Sequence, residues 1–144
     1  MSDSHIDPTR AQFEAFKDLD RDRPINMLNL VRFRDKAAYP DGHALAGKGL
    51  SGAEAYANYG RTSAPVFQKL GGSILWRGRF ETTLIGPDGE YWDAAFVARY
   101  PTGHAFLAMV SDPEYQIAVA HRQAAVLTSR LIRHAEIDGD NAFG

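Results

Sequence analysis

The stretch Pro24-Ile25-Asn26-Met27-Leu28-Asn29-Leu30-Val31-Arg32-Phe33 is apolar at both odd and even positions, the pattern of a strand buried on both faces. Such a strand needs a cover on each side. Within the run, Asn29 carries an amide that must find hydrogen-bond partners once it leaves water, or cost roughly 1 to 3 kcal/mol. A ligand is one possible partner.

A chain of 144 residues has room for one domain with a real hydrophobic core and not for two comfortable ones. The expectation is a single domain over 1–144, with an N-terminal extension carrying a short helix at 1–23, a core at 24–136 and a tail at 137–144. A formal charge of −2 gives no electrostatic reason to expect nucleic acid. The first residues contain no apolar leader, and no later run approaches the roughly 18 apolar residues of a membrane span, so a cytoplasmic location without membrane contact is expected. The sequence has no cysteine, which excludes disulfides, thiolate nucleophiles, iron–sulfur clusters and cysteine-type zinc sites.

Along the chain, Phe13, Phe16 and Leu19 fall at helical spacing. The two-faced strand follows, and Arg34 to Leu50, without sustained period, reads as a long loop, a kind of segment that often carries function. Ser51-Gly52-Ala53-Glu54 has the form of a capping box, and Tyr56, Tyr59, Ser63, Phe67 and Leu70 then share one helical face. Pro65 should kink that helix or start a fresh turn, and Gly71-Gly72 should end it. Ser73 to Leu84 alternates, with Ile74, Trp76 and Phe80 on one side and Arg77, Arg79 and Glu81 on the other. The turn Gly86-Pro87-Asp88-Gly89 leads into Tyr91 to Tyr100, so these two runs predict a β-hairpin. Pro101 to Val110 and Pro113 to Ala124 predict two successive helices joined at Ser111-Asp112. On the second, Tyr115, Ala118, Val119 and Arg122 share one side while Ile117, Ala120, His121 and Ala124 share the adjoining one. Val126 to Arg133 predicts a final strand, and Glu136 to Gly144 a loose polar tail.

After the leading helix the order is strand, helix, strand, strand, helix, strand. This is the split βαβ arrangement of the α+β ferredoxin-like class, a four-stranded antiparallel sheet with helices on one face. The uncovered face then calls for a second copy, so a homodimer is expected.

Motifs that carry chemistry are sparse. Gly42-His43-Ala44-Leu45-Ala46-Gly47-Lys48-Gly49 has the spacing of a phosphate-binding loop, but Gly49 stands where a magnesium-holding hydroxyl belongs and the loop begins well after the strand. His5, His43, His104, His121 and His134 are scattered, with no helical ligand pair, so no metal site is expected. His121 alone is a candidate general base or axial haem ligand, against the plainer role of a hydrogen-bonded surface histidine. Arg32, Arg77, Arg79, Arg99, Arg130 and Arg133 fall on predicted strands, where a buried guanidinium calls for a carboxylate such as Glu81 or Asp93 or for an anionic ligand. The favoured reading is ion pairing across strands and subunits, because Arg77 and Arg79 alternate with Glu81 on what reads as an interface face.

Asn26-Met27-Leu28-Asn29-Leu30, Leu70-Gly71-Gly72 before the second strand, and Asp112-Pro113-Glu114-Tyr115-Gln116 followed by His121-Arg122 resemble the ferredoxin-like dimeric alpha-beta barrel superfamily. Within it they resemble an uncharacterised family, the domain of unknown function 1330. The resemblance covers most of 24–136, and the Arg34–Leu50 loop and the N-terminal helix depart from it, either to lid a pocket or to extend a dimer contact. It implies a pocket between sheet and helices that binds a small organic molecule without a cofactor. On that resemblance Asn29 is a polar anchor, Tyr59 and Trp76 line the wall, and Tyr115, His121 and Arg122 close the pocket, with Asn29 and His121 as the catalytic candidates. Plainer roles stand beside these: Tyr59 and Trp76 as core residues, and Arg122 as a link to a carboxylate such as Glu114 or Glu54. The superfamily includes cofactor-free monooxygenases, isomerase-like enzymes, haem-binding members and proteins without known activity, so fold alone selects no reaction. A small-molecule enzyme or binder, a noncatalytic dimeric module and a haem protein ligated through His121 are the readings carried forward.

Overall fold

The computed structural model describes residues 4–139 together with 142 and 143. Its elements are α1 (Arg10–Asp18), β1 (Ile25–Phe33), α2 (Gly52–Lys69), β2 (Ser73–Arg79), β3 (Ala94–Tyr100), α3 (Gly103–Ser111), α4 (Pro113–Ala125) and β4 (Val126–Ala135). Each helix starts on a side-chain cap that satisfies an otherwise orphaned backbone amide. Thr9 with Gln12, and Ser51 with Glu54, form reciprocal capping boxes; Thr102 caps α3, and Asp112 caps α4 with Pro113 in its first turn. Helix α2 continues through Pro65, and Gly71, in the left-handed region at φ 83°, turns the chain toward β2.

All four strands pair antiparallel in the order β2-β3-β1-β4, which puts β1 in the interior of the sheet. Residues opposite one another on such a ladder share a face. Ile25, Met27, Asn29 and Val31 of β1 therefore share theirs with Tyr100, Ala98, Phe96 and Ala94 of β3. This is the helix-covered face. Ile25, Met27, Ala98 and Tyr100 pack there with Val66 of α2, Phe106 and Met109 of α3, and Tyr115 and Ala118 of α4 to make the main core. A second cluster, Val31, Ala55, Ala125 and Val126, closes the end of the sheet where β1 leaves and α4 passes into β4.

Two expectations from sequence are corrected. The predicted hairpin forms, but its strands are shorter than the expected 73–84 and 91–100, because regular pairing stops at Arg79 and resumes at Ala94 with a long excursion between. Across it run a Phe80 to Asp93 backbone bond and a Thr83 hydroxyl on the Glu90 carbonyl, while Tyr91 packs on Phe80 and under the Arg32 guanidinium. The second correction concerns facing. The register of β2 slips between Ile74 and Trp76, so one residue is taken up without a partner and the alternation reverses beyond it. Arg77 and Arg79, opposite Phe96 and Ala94, thus lie on the helix-covered face, and Trp76, opposite Val97, lies on the bare one.

The Arg34–Leu50 loop packs against the end of α4. Its Arg34 and Ala38 amides donate to the Ala125 and Ala124 carbonyls at 2.8 Å each, satisfying acceptors that a helix leaves unpaired at its C-terminus. The N-terminal extension runs beside β4, where the Ser129 amide donates to the His5 carbonyl at 2.8 Å. Beyond it α1 sets Phe16 against Phe106, with ring centroids 4.9 Å apart, and beneath the Arg133 guanidinium. In the polar tail, Glu136 pairs with Arg99, and residues 140, 141 and 144 lie outside those described.

Candidate functional site

Between the helix-covered face of the sheet and the helices lies a cleft of about 1940 Å³. Its most chemically distinctive part is a tyrosine group. Tyr56 and Tyr59 stand one turn apart on α2 with ring centroids 5.2 Å apart, and Tyr115 of α4 meets Tyr59 edge-on. The Tyr59 and Tyr115 hydroxyls are 2.9 Å apart. One hydroxyl hydrogen is used between them, which leaves the other free to donate elsewhere. Burial holds the Tyr59 phenol well above its ordinary range, reinforced by Tyr115 and Tyr56, and pushes Tyr56 up to about 12, with the positive charge of Arg122 opposing. Near neutral pH these phenols are donors and not bases.

Asn29 lies below them on β1, half-buried and facing the cleft. Its Nδ2 donates to the Met27 carbonyl two residues back at 3.0 Å, its one hydrogen bond among the described residues. The amide oxygen and second N–H are thus available to the cleft. One row crosses the sheet at this level: Arg77 on β2, Phe96 on β3, Asn29 on β1 and Leu131 on β4. All four line the cleft.

Arg122 reaches the same cleft from α4 with its side chain 14% exposed, and part of its hydrogen-bonding capacity is taken by the chain itself. It donates to the Ile6 carbonyl and, at 3.2 Å, to Ser129 Oγ, and it stands 3.9 Å from the Asp7 carboxylate. Arg122 has Asp7, and not Glu114 or Glu54, as the carboxylate beside it. Together with the Ser129 hydroxyl on the His5 carbonyl, it fastens the N-terminal extension beside the cleft, which Phe13 and Phe16 help to line. The extension therefore borders the cleft and the Arg34–Leu50 loop does not.

Two of the expected site residues lie elsewhere. Trp76 is 55% exposed on the opposite face of the sheet, for the register reason given above. His121 is one residue before Arg122, about 100° around the helix, and points away from the cleft. Its Nδ1 lies 2.6 Å from the Tyr39 hydroxyl, and its ring meets Tyr39 and His43 edge-on in the Arg34–Leu50 loop. Partial burial, with His43 and Arg61 nearby, holds the His121 imidazole below its ordinary range. His121 is not among the residues that line the cleft. The structure brings together Asn29, Tyr59, Tyr115 and Arg122, and adds Tyr56, Phe96 and Arg77. Of these, Tyr56 is legible as sharing a helical face with Tyr59, whereas Arg77 is legible as a strand arginine but is turned from the expected interface face to the cleft by the slip in β2. Among the described residues no three His, Asp or Glu side chains gather as a metal site, and no helix is long and apolar enough to cross a membrane.

The sequence model of the family described as "Domain of unknown function (DUF1330)" matches residues 42–134. RPA0582, a protein of unknown function from Rhodopseudomonas palustris, is similar over its whole length. It is 54% identical, with 94% of this chain and 99% of that one covered and a TM-score of 0.87. At the level of fold alone, the chain is similar to a dabb family protein with a ferredoxin-like fold from Mesorhizobium loti (12% identity, 80% and 98% of the two chains covered, TM-score 0.52). It is similar in the same way to SnoaB, a cofactor-independent oxygenase from Streptomyces nogalater (13% identity, 83% and 99% covered, TM-score 0.52). No curated protein matches the sequence.

Proposed function

The chain belongs to the DUF1330 family and has the ferredoxin-like dimeric alpha-beta barrel fold, and from the geometry of its cleft we propose that it binds a small aromatic molecule between sheet and helices, as a homodimer. The observation that carries this reading is the hydrogen-bonding set at the cleft's tyrosine end. The Tyr59–Tyr115 hydroxyl pair has one proton to give, and the Asn29 amide below is only partly satisfied, with Phe96 beside it in the same row. Apolar walls with a few convergent polar groups are what a small-molecule site requires. A planar ligand fits because the walls are aromatic rings, which favour offset-stacked and edge-to-face contacts.

The homodimer rests on the other face of the sheet. Leu28, Leu30, Val97 and Ile132 are brought together there beside the half-exposed Trp76, an apolar patch that a second copy would cover.

A cofactor-independent oxygenase shares the fold, so turnover of the bound molecule without a cofactor is one reading to test, though fold alone selects no reaction. In such a reaction the cleft tyrosines would act by donating to an oxyanion, since their protons are held firmly. The second reading, a noncatalytic binding module, draws on the position of His121: the one α4 histidine is turned away from the cleft, so it supplies no base there.

The test is calorimetric titration of phenols, naphthols and hydroxyquinones into the full chain, repeated with Tyr59→Phe and Asn29→Ala. Each substitution should weaken binding by about three- to tenfold, the range of a single neutral hydrogen bond, with circular dichroism unchanged. Absence of binding across the panel, or binding indifferent to both substitutions, would sink the proposal. Turnover of any bound compound with dioxygen separates the enzyme from the module.

A further inference from the structure

The cleft has a charge imbalance that its own side chains do not resolve. Several guanidinium groups stand along it, and most are engaged. Arg122 is held by Ile6, Ser129 and Asp7. Arg133 donates to the Phe16 and Asp20 carbonyls and stacks on Phe16, and Arg130, opposite Leu30 on the bare face and reaching only the edge of the cleft, donates to the Ser129 carbonyl and lies over Trp92. Of the cleft's carboxylates, Asp7 serves Arg122 and Gln123, and Asp93 accepts a single hydrogen bond, from the Phe33 amide at 2.8 Å. That leaves Arg77 and Arg79, exposed on the edge strand β2, which line the cleft and have no ion pair and no hydrogen bond among the described residues. Arg77 is the better placed of the two. It shares the row with Phe96 and Asn29, whereas Arg79 is opposite Ala94, in the next row toward the strand end. The positive charge of Arg77 also acts on the Tyr56 phenol, so the two stand within electrostatic reach across the cleft.

Neighbouring strands lie about 4.8 Å apart, so Arg77 and Asn29, two strands from each other, are separated by about 10 Å at the backbone. Their side chains close part of that gap, and one substituted six-membered ring spans the rest. Building on the aromatic-binding reading above, we infer that the cleft selects an aromatic carboxylate: the ring rests on Phe96 beneath Tyr56 and Tyr59, the carboxylate pairs with the Arg77 fork, and an oxygen on the far side of the ring meets the Asn29 amide. Guanidinium suits this task because its planar fork matches a carboxylate with two parallel N–H donors.

The discriminating pair of probes is 4-hydroxybenzoate and 4-hydroxybenzamide, alike in shape and different in charge, titrated calorimetrically into the full chain at low and high salt. The acid should bind about fivefold more tightly than the amide, as a partly solvated ion pair allows, and the gap should narrow as salt rises. Arg77→Gln should weaken the acid far more than the amide and so close the gap between them; Arg79→Gln should leave most of the preference in place. Equal binding of acid and amide by the unaltered chain, or a preference that survives Arg77→Gln, would overturn the inference. If neutral phenols bind through Tyr59 and Asn29 while the acid has no advantage, the carboxylate inference fails alone. If no aromatic compound binds at all, the binding reading fails and this one with it.

Discussion

The two faces of the sheet are built from the same four strands and both are rich in apolar side chains, yet they end differently. On one, β1 contributes Ile25, Met27 and Val31, at 1%, 3% and 1% exposure, to a core completed by α2, α3 and α4. On the other, the intervening Leu28 and Leu30 lie with Val97 and Ile132, only partly buried by the chain itself. The contrast lies in what interrupts each surface. The helix-covered face is broken at the Asn29 row, where amide, ring and guanidinium replace close packing and helices α2 and α4 present tyrosines in place of leucines. That break is the cleft. The bare face keeps its apolar residues together and puts charge at its margin, with Arg32 and Arg130 stacked on Tyr91 and Trp92 and Arg99 paired with Glu136. A surface interrupted by polar groups at one level suits a small molecule, and a continuous one suits another protein surface.

The most disruptive way to break that comparison is a charge in the middle of the bare face. Leu30→Asp puts a carboxylate on the interior strand, and in a two-fold dimer two such groups would enter one interface. With several kcal/mol lost per buried unpaired charge, the dimer dissociation constant should rise by about a thousandfold or more. Light scattering on the eluting protein should then report a monomer with native circular dichroism. A dimer that withstands Leu30→Asp would mean that the copies meet elsewhere.

A gentler pair of changes sharpens the same contrast, because Met27 and Leu28 are sequence neighbours on opposite faces. Met27→Ala should cost about 2 to 4 kcal/mol, the range for truncating a buried core side chain, whatever the protein concentration. Leu28→Ala should cost less than about 1 kcal/mol in dilute solution, where its face is uncovered, and more as concentration rises and association becomes part of the stability. Urea unfolding at two protein concentrations checks both. Equal, concentration-independent losses would remove the distinction between the faces.

The fold was legible because its signals are local. The two-faced apolarity of Ile25 to Phe33, the Ser51 and Glu54 capping box and the order of elements each depend on residues close in sequence, and together they specify a four-stranded sheet with one covered face. The Tyr56, Tyr59, Ser63 and Phe67 stripe was legible for the same reason. What sequence did not disclose depends on distant pairing. A single slip in register near Leu75 exchanges the positions of Trp76 and Arg77 between the faces, and composition gives no sign of it. Helix α4 was seen to have two surfaces, but which one meets the cleft is decided by Tyr39 and His43 packing on His121 from one side and by Ile6 and Asp7 taking Arg122 from the other. Both partners lie far away along the chain.

His121 belongs to neither face of the sheet, and this gives the smallest expected effect and a specific check on the site. Its pKa is lowered in the folded protein below the ordinary histidine value of 6.5, first by burial and then by His43 and Arg61. Between the folded and unfolded values, therefore, the unfolded chain binds more protons. The stability that the neutral ring contributes is complete above the unfolded value and is lost as pH falls through the lower folded one. The melting temperature should decline modestly as pH is lowered from 7.5 past 6.5, and His121→Gln should flatten part of that decline. Because the ring contacts Tyr39 and His43 and not the cleft, the affinity for a neutral phenol should stay the same over this interval, in the unaltered chain and the variant alike. If affinity instead follows the His121 titration, the imidazole communicates with the cleft, and the separation drawn between the two sides of α4 does not hold.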